Sequence, residues 1–186
     1  MSAGIGHNSG RVDEAGHGWR RHAWTRARAE LLPRLPVEVV RIRVKRAQDL
    51  GLPYRSYAGF RAATGHDLVG FLFSSNALGV LRRDAPMPPA VAARLAALLR
   101  TDRVALVHPP LDPAGFAAPP LDAAARAPVL AESWSATRAR LRAVVRGRGH
   151  AADRYVVIGE TALEREWCAA AGAAGFLTGV DYFGHG

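Results

Sequence analysis

The chain has 186 residues, of which 49% are hydrophobic and 22% are charged. This composition is that of a folded domain and excludes an intrinsically disordered protein. The apolar runs are too short to cross a bilayer, the N-terminus lacks the basic head and apolar core of a signal peptide, and a single cysteine excludes an internal disulfide framework. We therefore expect a cytoplasmic protein without membrane association.

The charge balance is strongly basic, with a formal net charge of +9. Such a charge favours polyanionic partners, because each neutralised phosphate releases condensed counterions. Of the 25 basic residues only Lys45 is lysine, and alanine is abundant as well. A GC-rich genome produces the same bias through its codons. The arginine excess therefore indicates either a nucleic-acid or acidic-protein partner, or a codon bias without functional meaning.

The first third of the chain is predicted to be helical. Residues 1–18 are glycine-rich and nearly free of large apolar side chains, so we expect a flexible tail. A helical region follows at residues 19–65, with helices predicted over 19–32, 37–50 and 53–63. Gly51 is placed to cap the second of these helices.

The last two of these helices have the spacing of a helix-turn-helix, in which apolar anchors bury one side and leave the other free for a DNA groove. The anchors would be Ala47, Leu50, Gly51, Leu52, Tyr57 and Phe60. The groove-facing residues would be Tyr54, Arg55 and Arg61, with Arg41, Arg43, Lys45 and Arg46 available for phosphates. Two features oppose this interpretation, because Pro53 cannot cap with a side chain and Gly59 weakens the second helix by about 1 kcal/mol. The alternative is a helix hairpin that covers a sheet.

Three apolar runs predict an α/β domain over residues 66–186. They are LVGFLFSS (68–75), RVALVHPP (103–110) and RYVVIGET (154–161), and each is apolar on both faces, as in parallel sheets. Helical patterns separate and follow them at 88–100, 129–146 and 162–174. We therefore predict a small three-stranded parallel, Rossmann-like sheet flanked by helices. The proline-rich loop at 108–122 is long for such a connection, which is typical of functional loops.

Polar residues follow all three predicted strands, where open parallel sheets bind their ligands. These residues are Ser74, Ser75 and Asn76, then His108, then Glu160 and Thr161. Together they would form a crevice for a small ligand or anion, and serine, histidine and glutamate would suit a nucleophile, base and orienting acid. No nucleophile-elbow or phosphate-loop motif accompanies them, and several have an adequate role as helix caps. We predict no catalytic residue, cofactor or metal site.

The long helix predicted over 129–146 carries two patterns. Leu130, Trp134, Thr137, Leu141, Val144 and Val145 follow the helical period. Arg138, Arg142 and Arg146 form a basic cluster with Arg140 and Arg148. This cluster is either a nucleic-acid surface or a solvated basic face.

The leading hypothesis is a DNA-associated or regulatory nucleic-acid-binding protein that acts through its arginines, without catalysis of its own. One alternative is a small Rossmann-like enzyme or ligand-binding protein that uses the crevice at the strand ends. Another is an adaptor whose basic surface binds an acidic protein.

Overall fold

The computed structural model describes residues 35–83 and 85–184. The chain divides into two compact units, residues 1–40 and residues 41–186. Of the first unit only residues 35–40 are described, and they contain the start of the first described helix. The predicted flexible tail at 1–18 and the predicted helix at 19–32 lie outside the described residues.

Helices and strands alternate through most of the second unit. The helices are α1 (Val37–Asp49), α2 (Tyr54–Thr64), α3 (Pro89–Ala96), α4 (Trp134–Gly147), α5 (Ala162–Ala171) and α6 (Gly179–Phe183). The strands are β1 (Gly70–Ser74), β2 (Asp102–Val107), β3 (Ala123–Arg126), β4 (Tyr155–Gly159) and β5 (Gly175–Thr178). Short 3₁₀ turns lie at Pro113–Phe116 and Ala152–Arg154. None of the helices in the described ranges combines the length and apolarity needed to cross a membrane.

The strands form one parallel sheet in the order β3-β2-β1-β4-β5. The predicted parallel sheet flanked by helices is confirmed, but the prediction of three strands is wrong, since the described chain contributes five. The two additional strands are the edge strands β3 and β5, each four residues long. Neither is a continuous run of large apolar residues, and β3 has the sequence AAAR, which has little intrinsic strand preference. Their backbones become strands through pairing with β2 and β4.

Side chains that alternate along the central strands divide the core into two clusters, one on each face of the sheet. On one face Phe71, Phe73 and Ile158 pack with side chains of α1, α2, α3 and α6. On the other face Leu72, Val157 and their neighbours pack with α4 and α5. The helix pair α1–α2 and the helix α4 therefore lie on opposite faces of the sheet.

The helix pair packs its inner side directly on the sheet. Ala47, Leu50, Leu52 and Tyr57 are buried in the first core cluster. Gly51 has φ +63°, and the Leu52 amide donates to the Ala47 carbonyl. The predicted glycine cap of the helix that is now α1 is therefore confirmed.

The long helix begins later than predicted. Residues 123–126 form β3, and α4 starts at Trp134 with Ser133 as its cap. The buried contacts of α4 begin at Thr137 and continue through Leu141 and Val145, as expected from the helical period. Leu130 and Trp134, which follow the same period in the sequence, are 84% and 51% exposed. Both precede the part of α4 that lies against the sheet.

Candidate functional sites

The order of the strands brings the predicted crevice residues to one edge of the sheet. β2, β1 and β4 are neighbours, and all three run in the same direction. Their carboxyl ends therefore lie side by side. The polar residues that follow these strands meet there around a side chain from α5, the carboxylate of Glu164.

Glu164 is fully buried and accepts hydrogen bonds from several elements. Its Oε1 accepts from Asn76 Nδ2 at 2.9 Å and lies 2.7 Å from His108 Nε2. Its Oε2 accepts from the amides of Glu160 at 2.6 Å and Thr161 at 2.8 Å. We call these five residues the Glu164 cluster. It joins the ends of β1, β2 and β4 through one carboxylate.

The hydrogen bonds determine the ionisation of this carboxylate. Burial by itself would raise its pKa, but the bonds from the His108 ring, the Glu160 and Thr161 amides and the Ser74 hydroxyl outweigh burial and lower the pKa of Glu164 to about 2. Glu164 is therefore ionised at neutral pH and only accepts hydrogen bonds. His108 Nε2 consequently donates the hydrogen bond of this contact.

The predicted nucleophile–base–acid arrangement is not formed by the residues named for it. Ser74 Oγ accepts from the Ala77 amide, and Ser75 Oγ accepts from the His108 amide. Within the described residues neither hydroxyl bonds to the His108 ring, which instead lies 5.2 Å, centroid to centroid, from the ring of Trp167. The orienting acid is Glu164, and Glu160 is exposed.

Thr161 and Glu164 have the spacing of a capping box, and that box is present. The additional role of Glu164 comes from Asn76 and His108, which precede it by 88 and 56 residues. A glutamate at the third position of a helix that follows a strand is the local signal of such a role.

A cavity of about 520 Å³ lies between the segment after β1 and the proline-rich loop after β2. Its walls are mainly apolar and include Met87, Phe116 and Leu121, with Arg83 and Asp112 also lining it. The cavity does not include the members of the Glu164 cluster.

The basic residues of α1 and α2 that were predicted to bind nucleic acid differ in their contacts. Arg46 donates to the carbonyls of Leu68 and Leu99 and lies 3.4 Å from a carboxylate oxygen of Asp67. Arg61 lies 3.7 Å from the same carboxylate, and Tyr57 donates to it at 2.7 Å. These contacts connect the helix pair to the segments that precede β1 and β2.

The other predicted residues of the helix pair have different surroundings. Tyr54 is half-buried against the core, and Arg43 is half-buried. Arg41, Lys45 and Arg55 are exposed.

The arginines of α4 fall into two groups. Arg140 pairs with Glu132, at 2.9 Å, and Arg148 at the end of the helix pairs with Asp102, at 2.7 Å. Arg138, Arg142 and Arg146 are exposed, and no acid of the described chain lies within ion-pair distance of them. We call these three residues the arginine row, since they repeat every four residues along one side of α4.

Within residues 35–83 and 85–184 no three histidine, cysteine or acidic side chains gather in a way that would hold a metal ion. Comparison with known proteins adds no assignment: no family model matches the chain, and no curated protein or solved structure matches it either.

Proposed function

We propose that this chain is a cytoplasmic nucleic-acid-binding protein, without catalysis of its own, whose contact surface is the arginine row of α4. The observation that carries the proposal is the lack of any partner for these three guanidinium groups in the described chain. Two other arginines of the same helix region are paired with acids, Arg140 with Glu132 and Arg148 with Asp102. The arginine row is therefore the part of the α4 surface whose positive charge is not balanced by an acid of the described chain.

The composition of α4 adds to this imbalance of charge. Its sequence, WSATRARLRAVVRG, contains no acidic residue. Arg142 has like-charged neighbours one turn away on both sides, Arg138 and Arg146, and such pairs destabilise an exposed helix. A solvated surface helix usually intersperses both signs of charge. A polyanion along the row would relieve this repulsion and gain charge-assisted bonds to each guanidinium group.

The proposal is tested by binding of labelled DNA oligonucleotides over a series of salt concentrations. We expect log K to fall linearly with log salt. Replacing Arg138, Arg142 and Arg146 by alanine should reduce the slope by about 2 for a single strand and weaken binding about 100-fold at 0.1 M salt, since each phosphate contact contributes about 0.7 to the slope.

The matched control removes three exposed arginines outside α4, Arg41, Arg82 and Arg126. It changes the net charge equally, so it reports the effect of overall charge alone. Equal losses in the two triple variants, or affinity that does not depend on salt, would remove the arginine row as the contact surface.

A second candidate function rests on the Glu164 cluster. In the sheet, β2 and β3 lie on one side of β1, and β4 and β5 lie on the other, so the topological switch point is between β1 and β4. Ligands of open parallel sheets bind at such a switch point. The alternative proposal is a small Rossmann-like enzyme or ligand-binding protein, in which Asn76 and His108 contact a small ligand. The His108 ring held 2.7 Å from the Glu164 carboxylate is the observation that favours it.

This alternative is tested by NMR titration of the isotopically labelled chain with small carboxylic acids and nucleotides, one compound at a time. We expect shifts of the Asn76 and His108 signals in the wild type and none in His108→Ala. The same alanine variant should abolish any turnover that a productive compound shows. Shifts confined to α4 would favour the arginine row instead.

A further inference from the structure

We propose that the arginine row binds single-stranded nucleic acid, with an unpaired base stacked on the indole ring of Trp134. This inference rests on the function proposed above and names its class of ligand. Three observations support it. Trp134 is exposed, it lies four residues before the first of the three arginines, and the apolar side of α4 is buried against the sheet.

Trp134 is the first residue of α4, and its side chain is 51% exposed. It belongs to neither core cluster of the described chain, although the other long-helix residues of its period, Thr137, Leu141 and Val145, are buried. About half of the surface of this residue is therefore accessible to a ligand. It presents a flat apolar surface next to unpaired positive charge.

Trp134 precedes Arg138 by the same four residues that separate the arginines from one another. Each step of four residues advances about 6 Å along the helix axis and turns about 40° around it, so the four positions form one line that winds slowly around the helix. Beside this line lie Ser135, Ala139 and Ala143, which are small and exposed. A chain of phosphates can approach the arginines without a bulky side chain in its path, and its end base reaches the indole.

The stacking surface selects a single strand over a duplex. In a duplex the base faces are already stacked on one another, and only their edges are accessible in the grooves. In a single strand each base has a free face, and stacking of that face on an aromatic side chain is the common contact of proteins that bind single strands. A duplex on α4 would meet the arginines but gain nothing from Trp134.

The same face does not suit a membrane surface. A helix that lies in the lipid interface needs a wide apolar face to insert, opposite its basic face. The apolar side of α4 is buried against the sheet through Thr137, Leu141 and Val145. Only Trp134 and the preceding Leu130 are left, and they lie at one end.

The experiment compares three labelled probes of equal length: a single-stranded DNA, the same strand built from abasic sites, and the duplex. The abasic strand has all the phosphates and none of the bases. We expect the wild type to prefer the base-bearing strand over the abasic strand about tenfold, the effect of one stacked base. Trp134→Ala should abolish this preference and leave the salt slope unchanged, and Trp134→Phe should retain most of it.

Leu130→Ala is the matched control, since Leu130 is also exposed and apolar but has no ring to stack on a base. RNA and DNA share the chemistry of free bases on phosphates. An RNA strand of the same sequence is therefore measured as well, to distinguish the two. The inference is overturned if abasic and base-bearing strands bind equally, if the duplex binds as tightly as the single strand, or if Trp134→Ala behaves like the Leu130 control.

These outcomes are separable from failure of the proposed function. If nucleic acid binds the arginine row only through its phosphates, the triple arginine variant still loses salt-dependent binding while Trp134→Ala does not change it. If the partner is an acidic protein, polyglutamate competes as well as DNA does, and both proposals fail together.

Discussion

The Glu164 cluster and the arginine row both contain charged side chains, but they differ in whether the described chain supplies partners for those charges. In the cluster every oxygen of the buried carboxylate has donors within the chain, from Asn76, His108 and two backbone amides. In the row three exposed guanidinium groups have no acid beside them in the described chain. A buried charge must be paired for the fold to be stable, whereas an exposed charge can remain available to a partner.

This difference separates stability from binding within one molecule. Changes in the cluster should alter the free energy of unfolding, and changes in the row should alter affinity for a polyanion. Arg148 is a useful intermediate case, because it adjoins the row in sequence but is paired with Asp102.

The largest effect is expected for Glu164→Gln, which keeps the shape of the side chain and removes its charge. The pKa of Glu164 is lowered from 4.5 to about 2, and each unit corresponds to about 1.4 kcal/mol. We expect the free energy of unfolding at pH 7, measured by urea denaturation, to fall by about 3 kcal/mol. Glu166→Gln is the control, since Glu166 is exposed on the same helix. Equal stability of the two variants would show that the cluster does not hold the strand ends together.

A second prediction concerns acid. A folded pKa below the unfolded one means that the unfolded chain binds more protons, so the contribution of Glu164 is complete above about pH 4.5 and is lost as the pH falls toward 2. At pH 3 this loss amounts to about 2 kcal/mol. Urea denaturation of the wild type and Glu164→Gln should therefore show a difference that narrows from about 3 kcal/mol at pH 7 to about 1 kcal/mol at pH 3. A difference that stays constant contradicts the assignment.

Arg148→Ala is expected to have the next largest effect, and on stability alone. The guanidinium group makes three hydrogen bonds to the carboxylate of Asp102, which is otherwise bonded to the Tyr155 hydroxyl at 2.6 Å. Removing it leaves a largely buried carboxylate short of donors, and we expect a loss of about 2 kcal/mol. The salt slope of DNA binding should not change. A reduced slope would place Arg148 in the contact surface.

Local patterns in the sequence predicted the features that depend on neighbouring residues. The period of α4 indicated which of its residues are buried from Thr137 onward, and the spacing of Thr161 and Glu164 indicated a capping box. The strands β1, β2 and β4 were recognisable because each is apolar on both faces. These signals are local, since each depends on a few consecutive residues.

What the sequence did not predict depends on distant parts of the chain. The edge strands become strands only by pairing with β2 and β4, and the second role of Glu164 requires His108 and Asn76 from other strands. The same holds for the arginines. Sequence reasoning grouped Arg46 with Arg41 and Arg43, and only the fold brings Arg46 to Asp67 and to the carbonyls of Leu68 and Leu99.

The smallest effect is expected for Arg142→Ala, and it should differ in sign between the two properties. Binding of a single-stranded oligonucleotide should weaken about fivefold at 0.1 M salt, with a slope reduced by about 0.7, because one phosphate contact is lost. Stability should rise slightly at low salt, since the substitution removes two like-charged pairs, to Arg138 and Arg146, and each costs an exposed helix a few tenths of a kcal/mol. Salt should screen this gain.

Thermal unfolding at low and high salt, together with the binding series, measures both effects in one variant. Arg126→Ala removes an exposed arginine outside α4 and controls for net charge. A variant that is more stable but binds the oligonucleotide more weakly would show that the row lowers stability and contributes to affinity. If Arg142→Ala loses stability, the guanidinium group has a role within the fold, and the contrast between the cluster and the row no longer holds.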